Sequence, residues 1–254
     1  MTRLILSYAL LLLCGIAGAD EAAPDDAAAA APEAKTSVTE HAARIGPRNI
    51  EYTATAGTML MKNAKDEPIA LMGYTAYVKK GENAARRPIL FAYNGGPGSA
   101  SLWLHMGILG PERAVVKDAG FGSNGPYERV SNEYSIIDEA DLVMIDPVGT
   151  GFAKAVGKGK GEDFWGVDQD IKSVSDFIAQ YLTENGRWAS PKYILGESYG
   201  GMRSGGVAYE LLSKHMIALN GVILVSPFME MATGFAGLDI DLPHVMYLPT
   251  FAAT

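Results

Sequence analysis

Residues 51–61 read EYTATAGTMLM, and after the polar stretch KNAKDEP the chain continues as IALMGYTAYVKK over 69–80. Apolar and polar positions alternate here with a period of two, which predicts two strands paired as an antiparallel hairpin or meander. Four later stretches follow another pattern. RPILFAYNGG (87–96), ADLVMIDPVGTG (140–151), PKYILGES (191–198) and LNGVILVSP (219–227) are short, continuously apolar runs that end in turn residues. Such runs predict strands buried on both faces. Between them the period changes. In 165–182 the apolar residues Val167, Ile171, Val174, Ile178 and Tyr181 step by four and three, giving the single stripe of a helix packed on one side. A second helix is predicted over 199–216, with Val207, Leu211 and Leu212 toward the core and Gly205 and Gly206 allowing close approach to a sheet. Buried strands alternating with helices predict an α/β fold with a mixed, mostly parallel central sheet and antiparallel strands at its N-terminal side.

The N-terminus departs from this grammar. Arg3, the apolar run from Leu4 to Ile16 and Ala17-Gly18-Ala19 have the layout of a secretory signal peptide. The run falls short of the roughly 20 residues that a membrane span needs. Residues 1–19 are therefore expected to be cleaved, leaving a periplasmic or secreted protein without a membrane anchor. Cys14 is the only cysteine and lies in that segment. The mature chain must then be held together by its core, as in a bacterial envelope protein. Residues 20–35, DEAAPDDAAAAAPEAK, hold alanine, proline and acid with no aromatic, and predict a disordered tether. With the tether taken to residue 44, the folded domain is expected over 45–254. At 48% hydrophobic residues the chain can fill one sizeable core. Its formal charge is −8, or −9 once Arg3 is cleaved away, which argues against a nucleic-acid partner. No metal or cofactor motif is visible, and GKGKGED (157–163) lacks the Gly-Lys-Ser/Thr ending of a phosphate loop.

Two short motifs carry chemistry. Gly196-Glu197-Ser198-Tyr199-Gly200 matches the Gly-x-Ser-x-Gly nucleophile elbow, in which the serine sits on a strained strand-to-helix turn with flanks that must lack side chains. The predicted strand before it and helix after it are the context this motif needs. Asn94-Gly95-Gly96-Pro97-Gly98 follows the strand at 88–93 directly. An oxyanion hole on such a scaffold uses the N–H after the nucleophile and one from a glycine-rich loop. Tyr199 and Gly96 are the candidate donors, and groups of this kind stabilise charge that develops in the transition state.

Taken together, FAYNGGPGSAS, DLVMIDPVGTGFAKA and YILGESYGG, in this order and spacing, resemble the serine carboxypeptidase family over roughly residues 50–254. The resemblance implies an α/β-hydrolase fold and removal of C-terminal residues from peptides, with no cofactor. It implies Ser198 as nucleophile, with the N–H groups of Gly96 and Tyr199 as the oxyanion hole. Asn94, the N–H of Gly95 and Glu197 would bind the free C-terminal carboxylate of the peptide substrate. A carboxylate facing a carboxylate needs a proton on one of the two, which favours activity at acidic pH. Two departures from the family pattern stand out. Ser99 occupies the position of a common cysteine, and no glutamate occurs between Asn94 and Glu112 to share a proton with Glu197.

The third departure concerns the base. Four histidines occur: His41 next to the tether, His105 after the oxyanion loop, His215 and His244. His215 lies 17 residues beyond Ser198, about 25 Å away at 1.5 Å per helical residue. His244 with Asp239 or Asp241 satisfies the order serine, acid, histidine, but the stretch directly follows the strand at 221–226, whereas acid and base should come from different strand ends. The triad acid and histidine are thus expected beyond Thr254. The chain reads as the N-terminal portion of an α/β-hydrolase, truncated before its last strands and inactive alone. An esterase or acyltransferase of the same fold, or a non-catalytic pseudoenzyme, are the competing readings.

Overall fold

The computed structural model describes residues 32–116, 125–230 and 241–253. The expected signal peptide, the first part of the tether and Asp239 lie outside them. Three long strands open the fold: β1 (Thr36–Ile45), β2 (Arg48–Lys62) and β3 (Pro68–Lys79), paired in antiparallel succession. The predicted hairpin is β2–β3, with Met59 opposite Met72 and Leu60 opposite Leu71.

β1 corrects the expected tether, because residues 36–44 pair with β2 along their whole length, from Thr36 opposite Gly57. The strand has little apolar signal because it is an edge. Only Ala43 and Ile45 are buried, and backbone hydrogen bonds hold the rest.

β4 (Ile89–Tyr93) leads through the short helix α1 (Leu102–Leu104), which continues as a π-helical turn over His105–Leu109. The small strands β5 (Glu112–Ala114) and β6 (Arg129–Ser131) form a separate ribbon. β7 (Asp141–Asp146), the two-residue β8 (Lys154–Ala155), α2 (Val167–Glu184), β9 (Lys192–Glu197), α3 (Tyr199–His215) and β10 (Gly221–Val225) follow, and α4 covers Leu242–Ala253. The main sheet runs β1-β2-β3-β7-β4-β9-β10, with β8 paired to β3. β7, β4, β9 and β10 are parallel neighbours, so the ends of β4, β7 and β9 open on the same side.

The continuous apolarity of β4 has a direct cause: its alternate residues fill two cores. Ile89, Phe91 and Tyr93 join Phe177, Tyr181, Val207 and Leu211 beneath α2 and α3. Leu90 and Ala92 pack with Leu104, Leu109 and Leu142 on the opposite face.

Three expectations shift. β10 reads like a strand buried on both faces, yet among the described residues it pairs only with β9, and Val222, Ile223 and Leu224 are exposed there. Leu212 faces solvent while Val207 and Leu211 are buried. Gly206 faces α2 rather than the sheet: a Cβ there would lie 2.2 Å from Ile171 Cδ1, whereas Gly205 borders open space.

At the start of the parallel strands, Asp141 is buried between two arginines. It accepts from Arg87 Nε at 2.7 Å and from Arg187 Nη1 at 2.6 Å. This cluster staples the ends opposite the site described next.

Candidate active site

β9 ends at Glu197, and the chain turns at once into α3. Ser198 occupies that turn with φ 58° and ψ −123°, a conformation that L-residues adopt only at a cost. The surroundings hold it there. Ser198 N–H donates to Val225 O at 3.0 Å, and its carbonyl accepts from Gly201 and Phe228 N–H, each at 2.8 Å. The turn leaves no room beside it: a Cβ on Gly196 would lie 2.0 Å from the carbonyl oxygen of Gly200.

The loop 94–98 leaves β4 beside this turn. A Cβ on Gly95 would meet Tyr199 N at 2.5 Å and Gly200 N at 2.8 Å, so only glycine lets the loop approach so closely. Asn94 is fully buried. Its Nδ2 donates to Glu197 Oε2 at 3.0 Å, and its Oδ1 accepts the N–H of Leu104 at 3.1 Å. The α1 turn thereby fixes which way the amide faces. That turn is itself held by Asp146, whose carboxylate accepts from Ser101 N–H at 2.8 Å. Burial raises the Asp146 carboxyl above its ordinary range, against the opposing pull of backbone N–H groups of Ser101 and Phe152.

Beneath the elbow lies a group without a motif to announce it. Arg203 donates from Nε to Asp170 Oδ2 and from Nη1 to the Asn94 carbonyl, both at 2.7 Å. Its guanidinium sits 5.2 Å from the Tyr93 ring and 5.1 Å from the Tyr199 ring. Burial raises the Tyr199 phenol above its usual value, with Asp170 adding to the effect. Pro97, Gly98, Val148, Trp165, Tyr199 and Arg203 help line a cavity of about 210 Å³ alongside.

The structure therefore brings Asn94, Gly95, Glu197, Ser198 and Tyr199 together at the C-terminal ends of β4 and β9, with Gly96 next on the same loop. The histidines lie elsewhere. His41 of β1 stacks on Tyr52 of β2, and His105 hydrogen-bonds the Tyr77 hydroxyl. His215 ends α3 and meets Asp176 at 3.1 Å, while His244 is exposed on α4. Among the described residues no histidine hydrogen-bonds Ser198. No motif in the sequence marks Arg203, Asp170, Asp146 or Ser101 as site residues. The one available signal was the position of Arg203, one helical turn after Tyr199.

A family model described as serine carboxypeptidase matches residues 64–238, more than half of the chain. Serine carboxypeptidase-like 10 of Arabidopsis thaliana is 30% identical over 172 residues, covering 64% of this chain and 37% of that protein. The pheromone-processing carboxypeptidase KEX1 of Saccharomyces cerevisiae is 34% identical over 122 residues, covering 45% of this chain and 16% of that protein. A crystal structure of KEX1, a prohormone-processing carboxypeptidase, superposes with a TM-score of 0.54 at 20% identity, over 77% of this chain and 45% of that one. The last likeness concerns fold alone, and the chain spans less than half the length of each of these relatives. With an α/β-hydrolase fold and a family match that extends from the turn between β2 and β3 to beyond β10, the chain belongs to the serine carboxypeptidase family.

Proposed function

We propose that this chain carries the nucleophile, oxyanion hole and carboxylate clamp of an exported serine carboxypeptidase. Ser198 Oγ attacks the carbonyl carbon of the last peptide bond, and its proton passes to a general base that returns it to the leaving amine. The oxyanion accepts from the N–H groups of Gly96 and Tyr199. The bond to the terminal residue breaks, that residue departs as a free amino acid, and water then hydrolyses the acyl-enzyme. Asn94 Nδ2, Gly95 N–H and Glu197 hold the terminal carboxylate. Export rests on the signal-like residues 1–19. No helix among the described residues is long and apolar enough to cross a membrane.

The observation that carries this reading is the 3.0 Å hydrogen bond between Asn94 and Glu197, placed directly beside Ser198. Ester hydrolysis by itself does not call for this pair, whereas recognition of a terminal carboxylate does. The test compares a free-acid peptide with its C-terminal amide in the full-length protein. The free acid should react at least about tenfold faster in kcat/KM, a difference of roughly 1.4 kcal/mol in transition-state binding. Equal rates on the two would remove the clamp and leave the esterase reading.

A further inference from the structure

We propose that Arg203 is a positioning residue: it fixes the main chain of Asn94 against the elbow, and so sets the grip on the substrate's terminal carboxylate. This inference rests on the carboxypeptidase reading above.

Its origin is local. α3 begins at Tyr199, and Arg203 follows four residues later on the same face. Helical side chains lean back toward the N-terminus, so the guanidinium lies under the turn that holds Ser198. There it touches three elements at once. Nε is bound to Asp170 of α2, Nη1 to the carbonyl of Asn94 after β4, and its plane is flanked by the rings of Tyr93 and Tyr199. Tyr93 directly precedes the clamp residue, and Tyr199 supplies one of the proposed oxyanion donors.

Stability is a poor reason to bury a cation in this place. A buried ion pair gains little over well-packed apolar side chains, because desolvation offsets the attraction. The informative partner is the Asn94 carbonyl. Asn94 is held twice: its amide by Leu104 N–H, and its main chain by Arg203. Both constraints act on the one residue whose Nδ2 faces Glu197. Arginine suits the task because its planar fork donates in two fixed directions. A lysine that kept Asp170 would leave the Asn94 carbonyl unpaired in a dry site.

The test uses the full-length protein, with a free-acid peptide and its C-terminal amide as substrates. Arg203→Lys and Asp170→Asn are each compared with wild type, with folding checked by circular dichroism and thermal melting. In both variants the free-acid to amide ratio of kcat/KM should fall by about tenfold, chiefly through KM of the free acid, while the amide changes by less than about threefold. A folded variant that loses stability but keeps the wild-type ratio would overturn the proposal, since Arg203 would then serve the core alone. If the lysine variant fails to fold, Asp170→Asn decides by the same ratio, because it retains the arginine. A wild-type protein without preference for the free acid marks a different failure: it removes the carboxypeptidase reading and this inference with it.

Discussion

Ser198 and Gly95 illustrate why part of the site could be read directly from the residues. Their geometry tolerates few substitutes: a serine strained at φ 58° needs flanks without side chains, and a loop pressed on Tyr199 N–H needs glycine. On the carboxypeptidase reading proposed above, Ser198→Ala should lower kcat by about a million-fold, measured on the free-acid peptide. Gly95→Ala tests the contact itself. Its Cβ would lie 2.5 Å from Tyr199 N, so loop and elbow must part. A displacement of this kind costs on the order of a hundredfold in rate. The expected outcome is that loss in kcat together with a lowered melting temperature, because all three atoms the methyl meets belong to the backbone. Arg203 and Asp170 show the opposite case. They are 33 residues apart and carry no motif, and their partnership exists only once α2 and α3 pack together. An arginine alone on a helix reads as a solvated face.

Among the elements, β2, β3 and the parallel strands were legible because burial on one face or two leaves different periods. β1 and the exposure of β10 were not, since pattern reports side-chain environment and cannot count neighbours along a sheet. The α2–α3 crossing is specified by one glycine. Gly206→Ala brings a methyl to 2.2 Å from Ile171 Cδ1 and 2.8 Å from Cγ1, and the stiff β-branched residue cannot easily yield. Overpacking costs about 1–3 kcal/mol, against a gain of about 1 kcal/mol in helix propensity. A net loss is expected in urea unfolding, with partial recovery on adding Ile171→Ala. The α1 region carries a pH dependence. Burial pushes the Tyr77 phenol up to about 12, with smaller contributions from Tyr52 and Glu112, and its hydroxyl hydrogen-bonds the His105 ring. Burial also holds His105 below its ordinary 6.5. The unfolded chain then binds more protons than the folded one below that value, so the stability due to neutral His105 is present above 6.5 and lost as pH falls through the folded value. Thermal melts should decline on acidification below 6.5, and less steeply in His105→Gln.

At the scale of the whole molecule, the sheet divides its duties between two ends. Loops at the C-terminal ends of β4 and β9 hold the candidate site, whereas Asp141, Arg87 and Arg187 lock the N-terminal ends. Strands of five or six residues separate the two by roughly 17–20 Å. Asp141 also accepts Lys79 N–H, so the same carboxylate ties the antiparallel strands to the parallel ones. Asp141→Ala strips two buried guanidinium groups of their counter-charge, and removing one partner of a buried pair costs about 3–5 kcal/mol. Urea unfolding should show a loss of that size. Steady-state kinetics at low temperature, where the variant remains folded, should retain the wild-type preference for a free acid over an amide. The contrast with Arg203→Lys is informative because both substitutions weaken a buried arginine–aspartate contact. One lies beneath the proposed clamp and should alter the preference for a free acid, while the other lies at the far end of the sheet and should alter only whether the chain stays folded. If Asp141→Ala shifted the ratio as well, general loosening of the sheet would account for both, and the division of the fold into two working ends would be wrong.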